Sequence, residues 1–158
     1  MSETSSKSVL KTARQVTSHC SRSFCLSALL ILTAAAAQAE TIFVNQTPVS
    51  VTFAVTPQEQ QKGLQGVNAL DQNQGMLFVF NPARSICMWM KDVPIDLDVG
   101  FFSEKGTLFA IRHMKAQTET NHCSYREAAW ALEVNAGWFE KNKLTEGAKL
   151  RFEKGPED

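Results

Sequence analysis

The sequence predicts a small, mainly β domain, a sandwich or barrel with one or two short helices, behind a cleaved N-terminal signal segment. Three observations predict it. Short runs rich in β-branched and aromatic residues recur along the chain after residue 40, each bounded by turn residues. Ahead of them a basic stretch passes into an apolar core and a small-residue exit. The chain has 158 residues, 17.5 kDa and 44% hydrophobic residues, which fits one folded domain and excludes a disordered chain, a collagen and a disulfide-dense toxin.

The leading segment carries Lys7, Lys11, Arg14 and Arg22, with Glu3 as its one acid. The apolar run from Phe24 to Ala37 is broken only by Cys25, Ser27 and Thr33 and closes on Ala37-Gln38-Ala39 before Glu40. That order is a secretory signal peptide over residues 1–39, with cleavage expected after Ala39. The run is about 14 residues, short of the ~20 that span a bilayer, so cleavage is favoured over a retained anchor. No stable membrane span is then expected after processing. Cys20 and Cys25 precede or lie within the run, which leaves no lipidation cysteine after it. The expected destination is periplasmic or secreted.

The mature chain is expected to be one β-rich domain over residues 40–158, with 12 basic and 15 acidic residues. Nothing in that balance favours nucleic acid. Two cysteines remain, Cys87 and Cys123, and an even count in an oxidising compartment allows one disulfide. Two independent buried thiols are the alternative.

Each element has its own justification. Thr41–Val44 and Val49–Val55 are β-branched runs separated by Asn45-Gln46-Thr47-Pro48, which predicts strand, turn and strand. Thr56-Pro57-Gln58-Glu59 predicts a helix start, with Thr56 as cap, Pro57 in the first turn and Glu59 three residues after the cap. Gly63 and Gly66 limit that helix to about two turns. Gly75 to Phe80 is an unbroken apolar run stopped by Asn81-Pro82, read as a strand buried on both faces. Ile86 to Lys91 is read as another strand. Leu97 to Phe102 alternates, and Glu104-Lys105-Gly106 turns it into a strand over Thr107–His113. Residues 115–127 show no period and are read as a loop. Ala129–Asn135 is a strand with Trp130, Leu132 and Val134 on its apolar face. Ala136–Asn142 is read as a short helix, and Lys149–Glu153 as the closing strand.

Familiar catalytic signatures are absent: no phosphate loop, no G-x-S-x-G, no C-x-x-C and no H-E-x-x-H. The most informative stretch is Cys87-Met88-Trp89-Met90-Lys91-Asp92. Strand alternation places Cys87, Trp89 and Lys91 on one face, an indole beside an ammonium, which suits an anionic or carboxylate group. Against this stands Trp89 as core with Lys91 lying along it. Glu133 shares its face with Ala129, Ala131 and Asn135, so small neighbours leave space above its carboxyl, where it can act as acid, base or ligand. The alternative is an ion pair at a strand edge. Asp98 poses the same choice, with Lys91 as the obvious partner. A copper-binding reading would draw on Met88, Met90, Met114, His113, His122, Cys87 and Cys123. No recognised metal spacing is present, and neither a metal site nor a cofactor is expected.

Four stretches together resemble a known family: Gly63-Leu64 with Gly75-Met76-Leu77-Phe78, then Trp89-Met90-Lys91, then Leu97-Asp98, then Leu132-Glu133 with Gly137. Their order and spacing are similar to domain-of-unknown-function family 192, small secreted or membrane-attached bacterial and archaeal proteins. The resemblance spans about residues 42–153. It implies a compact, jelly-roll-like or barrel-like β domain and no established activity. Met76, Phe78, Trp89, Lys91, Asp98 and Glu133 match the positions of the family's pattern and are the candidate ligand-binding residues. Met88, Asp92, Val93, Asp96 and Val67 depart from it. The expected function is a non-catalytic binding or accessory module of the cell envelope, its partner a small molecule or an envelope protein. The alternatives are a hydrolase-like enzyme using Glu133 or Asp98 with Lys91, and a periplasmic copper-binding protein.

Overall fold

The computed structural model describes residues 39–152. The signal segment expected over residues 1–39 lies, but for Ala39, outside the described residues. The described chain is mainly β, as the strand runs predict. Its elements are β1 (Glu40–Val44), β2 (Thr47–Ala54), α1 (Pro57–Lys62), β3 (Gln74–Arg84), β4 (Cys87–Met88), β5 (Leu97–Phe102), β6 (Leu108–Met114), β7 (His122–Cys123), β8 (Ala128–Asn135), α2 (Trp138–Lys141) and β9 (Leu150–Phe152).

Seven strands form one sheet in the order β6-β5-β8-β3-β2-β1-β9, and β4 pairs with β7 as a separate ribbon. β2 and β3 run parallel, the one parallel pair, because the connection through α1 carries the chain back to the same end. The sheet curls until its ends meet. Thr107 bridges Lys149, Leu108 N–H donates to Ala148 O at 2.8 Å, and Leu150 N–H donates to Gly106 O at 2.8 Å. The result is a half-barrel.

Strand alternation sorts the side chains into two cores. The inner one, inside the curl, gathers Val44, Val51, Leu77, Phe102, Leu132 and Val134 with Trp138 and Phe139 of α2. The outer one covers the other face: Phe78, Phe80, Val99, Phe101 and Ala131 from the sheet, with Leu64, Ile86, Met90 and Val93 from the connections laid over it. This outer layer explains why every residue of β5 is buried although its sequence alternates. Gly100 faces the inner core where any Cβ would lie 2.5 Å from the Phe139 ring.

Four element predictions need correction. Ile86–Lys91 is a strand only at Cys87–Met88. Beyond Met88 the chain leaves the ribbon: Met90 N–H donates to Thr118 O at 3.1 Å, and Asp92 adopts φ 59°, a conformation that aspartate tolerates. Residues 115–127 hold β7, whose two residues are too few to leave a period. The last helix is Trp138–Lys141, shorter than residues 136–142, because Gly137 sits at φ 80° and serves as its N-terminal boundary. β3 continues to Arg84 through Asn81-Pro82, with a shift of register against β8. The capping box predicted at Thr56 is present: Glu59 N–H donates to Thr56 Oγ1 at 3.2 Å, and Thr56 N–H donates to Glu59 Oε2 at 2.8 Å.

Candidate functional site

Glu133 lies in the middle of the sheet. It pairs with Met76 of β3 on one side and Val99 of β5 on the other, both of them uncharged. Its neighbours along β8 put Leu132 and Val134 into the inner core, so the Glu133 side chain points to the outer layer. There it is 4% exposed, and among the described residues its carboxyl has neither a hydrogen-bond nor an ion-pair partner. Burial away from water disfavours the ionised form and pushes its pKa up to about 8.

The carboxyl forms part of the lining of a cavity of about 90 Å³. Phe78 lines it from β3, Cys87, Met88, Trp89, Lys91 and Val93 line it from the ribbon and the segment after it, and residues 60–65 line it from α1 and its exit. Three local features set these walls. Gln60 Nε2 donates to Val79 O at 2.7 Å and to Val55 O at 3.2 Å, pinning α1 across the ends of β2 and β3. Gly63, at φ 46°, closes α1 directly over the Phe78 ring, where a Cβ would lie 3.3 Å from the ring edge. Cys87 and Cys123 are bonded to each other across the ribbon, so the wall that carries Trp89 and Lys91 is tied covalently to residues 36 positions away.

At the rim the Trp89 indole is 44% exposed, and the Lys91 ammonium lies 5.6 Å from its ring centroid. Gly66 N–H donates to Asp92 O at 2.9 Å and Gln117 N–H donates to Val93 O at 2.9 Å, which hold this segment between two loops. Neither Lys62 nor Lys91 makes an ion pair among the described residues. The lining therefore combines two exposed lysines with one buried acid.

Of the residues singled out in the sequence, Phe78, Trp89, Lys91 and Glu133 line this cavity together. Met76 flanks Glu133 on β3 and packs against the outer core beside the cavity. Asp98 is placed elsewhere. It pairs with Val134, so its side chain points to the opposite face of the sheet. Its partner is not Lys91: Asp98 Oδ1 lies 3.0 Å from His113 Nδ1, and Asp98 Oδ2 accepts from Gly137 N–H at 2.8 Å. Asp98 thus ties the turn between β8 and α2 to β5 and β6. The disulfide removes both thiolates from the soft-ligand set considered for copper. Among the described residues no group of three His, Cys, Asp or Glu side chains is placed to hold a metal ion.

Sequence reasoning missed the contribution of residues 60–65. The capping box announced α1, but six residues give too little periodicity to reveal which side faces the sheet. It named His122 only as a soft metal ligand and missed its surroundings: its Nε2 is buried without a partner among the described residues, and its pKa is lowered first by burial and then by His113 and Arg112. A single histidine in an aperiodic stretch gives no signal of that kind.

Fold and cavity define a class before they define a relative: a small curled-sheet β domain whose outer face holds one buried acid in a lysine- and tryptophan-rimmed hollow. The chain belongs to DUF192, described as an uncharacterized ACR, whose family model matches residues 40–152. It is similar to the crystal structure of a putative transcription regulator from Sinorhizobium meliloti 1021, at 27% identity and TM-score 0.68 over 73% of this chain and 92% of that one. It is also similar to a protein of unknown function from Novosphingobium aromaticivorans DSM 12444, at 25% identity and TM-score 0.66 over 72% of this chain and 84% of that one. No curated protein matches the chain.

Proposed function

We propose that the protein is an exported domain of the cell envelope that binds a small ligand without transforming it. The observation that carries the binding reading is Glu133: a buried residue whose carboxyl has no hydrogen-bond or ion-pair partner among the described residues, and which lines the same cavity as Trp89, Lys91 and Phe78. A buried polar group without a partner is costly, and a bound ligand is one way to supply the partner. Export is supported by the basic, apolar and A-x-A order of the first 39 residues and by the Cys87–Cys123 bond, which persists in oxidising compartments. Among the described residues no helix is long and apolar enough to cross a membrane.

A second reading has one observation in its favour. A carboxyl with a pKa of about 8 is protonated at neutral pH and suits a general acid, and Lys91 lines the same cavity. The form of this reading that pairs Asp98 with Lys91 finds no support, because Asp98 sits on the other face of the sheet.

A thermal-shift screen with defined small carboxylic acids, amides, sugars and amines tests the binding reading. At least one compound is expected to raise the melting temperature, as mass action requires. Trp89→Ala is expected to abolish that rise while far-UV circular dichroism stays native. A rise that survives in Trp89→Ala moves the site elsewhere, and a screen with no responder removes the reading. Export is tested separately by mass spectrometry of the full chain expressed in a Gram-negative host: a periplasmic species beginning at Glu40 is expected, and an intact chain in the cytoplasm refutes it.

A further inference from the structure

Resting on the binding reading above, we infer that the ligand presents an uncharged primary amide, seated edge to edge against the buried Glu133 carboxyl. Three observations carry it. The carboxyl has no hydrogen-bond or ion-pair partner among the described residues, yet neither of its oxygens is sealed in. Among those residues His122 Nε2 is the one side-chain polar atom of a non-exposed residue that has neither a partner nor contact with open space. The open space that Glu133 lines is the cavity of about 90 Å³, which admits a polar head with a few carbons. The surroundings of the carboxyl carry no charge: Met76 and Val99 flank it on the neighbouring strands, and Phe78 and Leu64 are buried parts of the same lining. The cations of the lining, Lys62 and Lys91, are exposed, and Lys91 lies over the exposed Trp89 ring.

Hydrogen-bond complementarity selects the amide. With no charge beside the carboxyl, burial keeps it protonated at neutral pH. A protonated carboxyl presents an O–H donor and a C=O acceptor side by side. A primary amide presents the complement, C=O beside N–H, and closes both hydrogen bonds in one ring. A trans N-substituted amide points its N–H and C=O to opposite sides and closes one. A carboxylate offers acceptors alone and a protonated amine donors alone. Each of these ions must also shed its hydration to enter a hollow whose inner wall holds no counter-charge. A buried donor or acceptor left unmet costs more than a made hydrogen bond contributes, so the match discriminates among ligands of one size.

Binding of this kind depends on pH through Glu133. Met76 and Val99 do not titrate and Cys87 is disulfide-bonded, which leaves Lys62 on α1 and Lys91 after β4 as the other titratable groups of the lining. An ionised Glu133 loses its O–H and cannot close the ring, so affinity is full well below pH 8 and falls above it. The test titrates the full chain with propionamide, N-methylacetamide, propionate and butylamine, four probes of equal size, and follows the indole N–H resonance of Trp89. Propionamide is expected to bind most tightly, and about tenfold more weakly at pH 9 than at pH 6, the ratio that a pKa of about 8 gives. Glu133→Gln presents a donor beside an acceptor at every pH and is expected to bind propionamide with no dependence on pH. Glu133→Leu, which fills the position with a side chain that packs, is expected to lose propionamide while far-UV circular dichroism stays native.

N-methylacetamide, propionate or butylamine binding as tightly as propionamide overturns the amide assignment and leaves the binding reading standing. Propionamide binding that is unchanged between the two pH values, or unchanged in Glu133→Leu, overturns the pairing with Glu133. Silence from all four probes overturns the amide assignment, and the wider thermal-shift screen then judges the binding reading by itself.

Discussion

Glu133→Gln is expected to make the protein more stable, and increasingly so as pH rises. The reason is linkage. Burial moves the Glu133 pKa from 4.5 to about 8, so the folded state holds this proton more tightly than the unfolded chain does. The stability that protonated Glu133 allows is complete below about pH 4.5. It is lost progressively as pH rises and is fully lost above about pH 8. One pH unit across that window is worth about 1.4 kcal/mol, so the loss reaches about 3 kcal/mol at pH 7 and about 5 kcal/mol at pH 9. Glutamine has nearly the same shape and does not titrate. The difference in stability between Glu133→Gln and the natural chain should therefore be small near pH 5, about 3 kcal/mol in favour of the variant at pH 7, and larger at pH 9. For a domain of this length that corresponds to about 10 °C in melting temperature at pH 7. Urea unfolding of both proteins at the three pH values measures it, provided the slopes of free energy against urea agree. Two stability curves that run parallel across the pH range would refute the reasoning, because they would mean that Glu133 titrates alike in the folded and unfolded chains.

Two further predictions concern the supports of the cavity. The Cys87→Ser, Cys123→Ser double variant should lose about 4 kcal/mol, the stabilisation expected from closing a loop of about this length. A thiol reductant should lower the unfolding midpoint of the natural protein and leave that of the variant unchanged. A natural protein indifferent to reductant would contradict the bond. Asp98→Ala should cost about 2 kcal/mol in urea unfolding, since it strips the acceptor from the Gly137 amide and from the largely exposed His113 ring. A thermal shift that depends on Trp89 should survive in that variant, and its loss would show that Asp98 reaches the cavity after all.

Much of the fold was legible because it obeys short-range rules. The period of two along Ala129–Asn135 placed Trp130, Leu132 and Val134 on one face and Glu133 on the other, and the inner and outer cores divide the strand in that way. The capping box at Thr56 and the glycine stop at Gly63 bounded α1 from residue types alone. The errors came where long-range contacts decide. The segment Trp89–Lys91 has the composition of a strand, but its partner is a loop carbonyl at Thr118, and nothing local announces that bond. Asp98 is the more instructive case. Its place within an apolar strand marked it as special, and it is special, but the two groups that use it are His113 on the neighbouring strand and an amide 39 positions along the chain. Alternation told which face Asp98 occupies relative to Val99. It did not tell that this face looks away from Trp89 and Lys91, since that depends on how the connections after β4 fold back over the sheet.

The placement of Glu133 bears on the division between scaffold and site. Met76, Val99, Ala131 and Phe78 form its surroundings, a position where leucine or methionine would pack with no titrating group at all. A purely structural strand gains nothing from a carboxyl there, because the acid weakens the fold at every pH above its ordinary value. Asp98 shows what a structural acid looks like in the same sheet: it is equally buried, yet both of its oxygens have partners. Groups that lower stability without a local structural return tend to belong to working sites, where activity rather than stability selects the residue. The contrast between two acids on neighbouring strands, one fully engaged and one without a partner among the described residues and lining a cavity, is therefore the strongest reason to place the site on the outer face of the sheet.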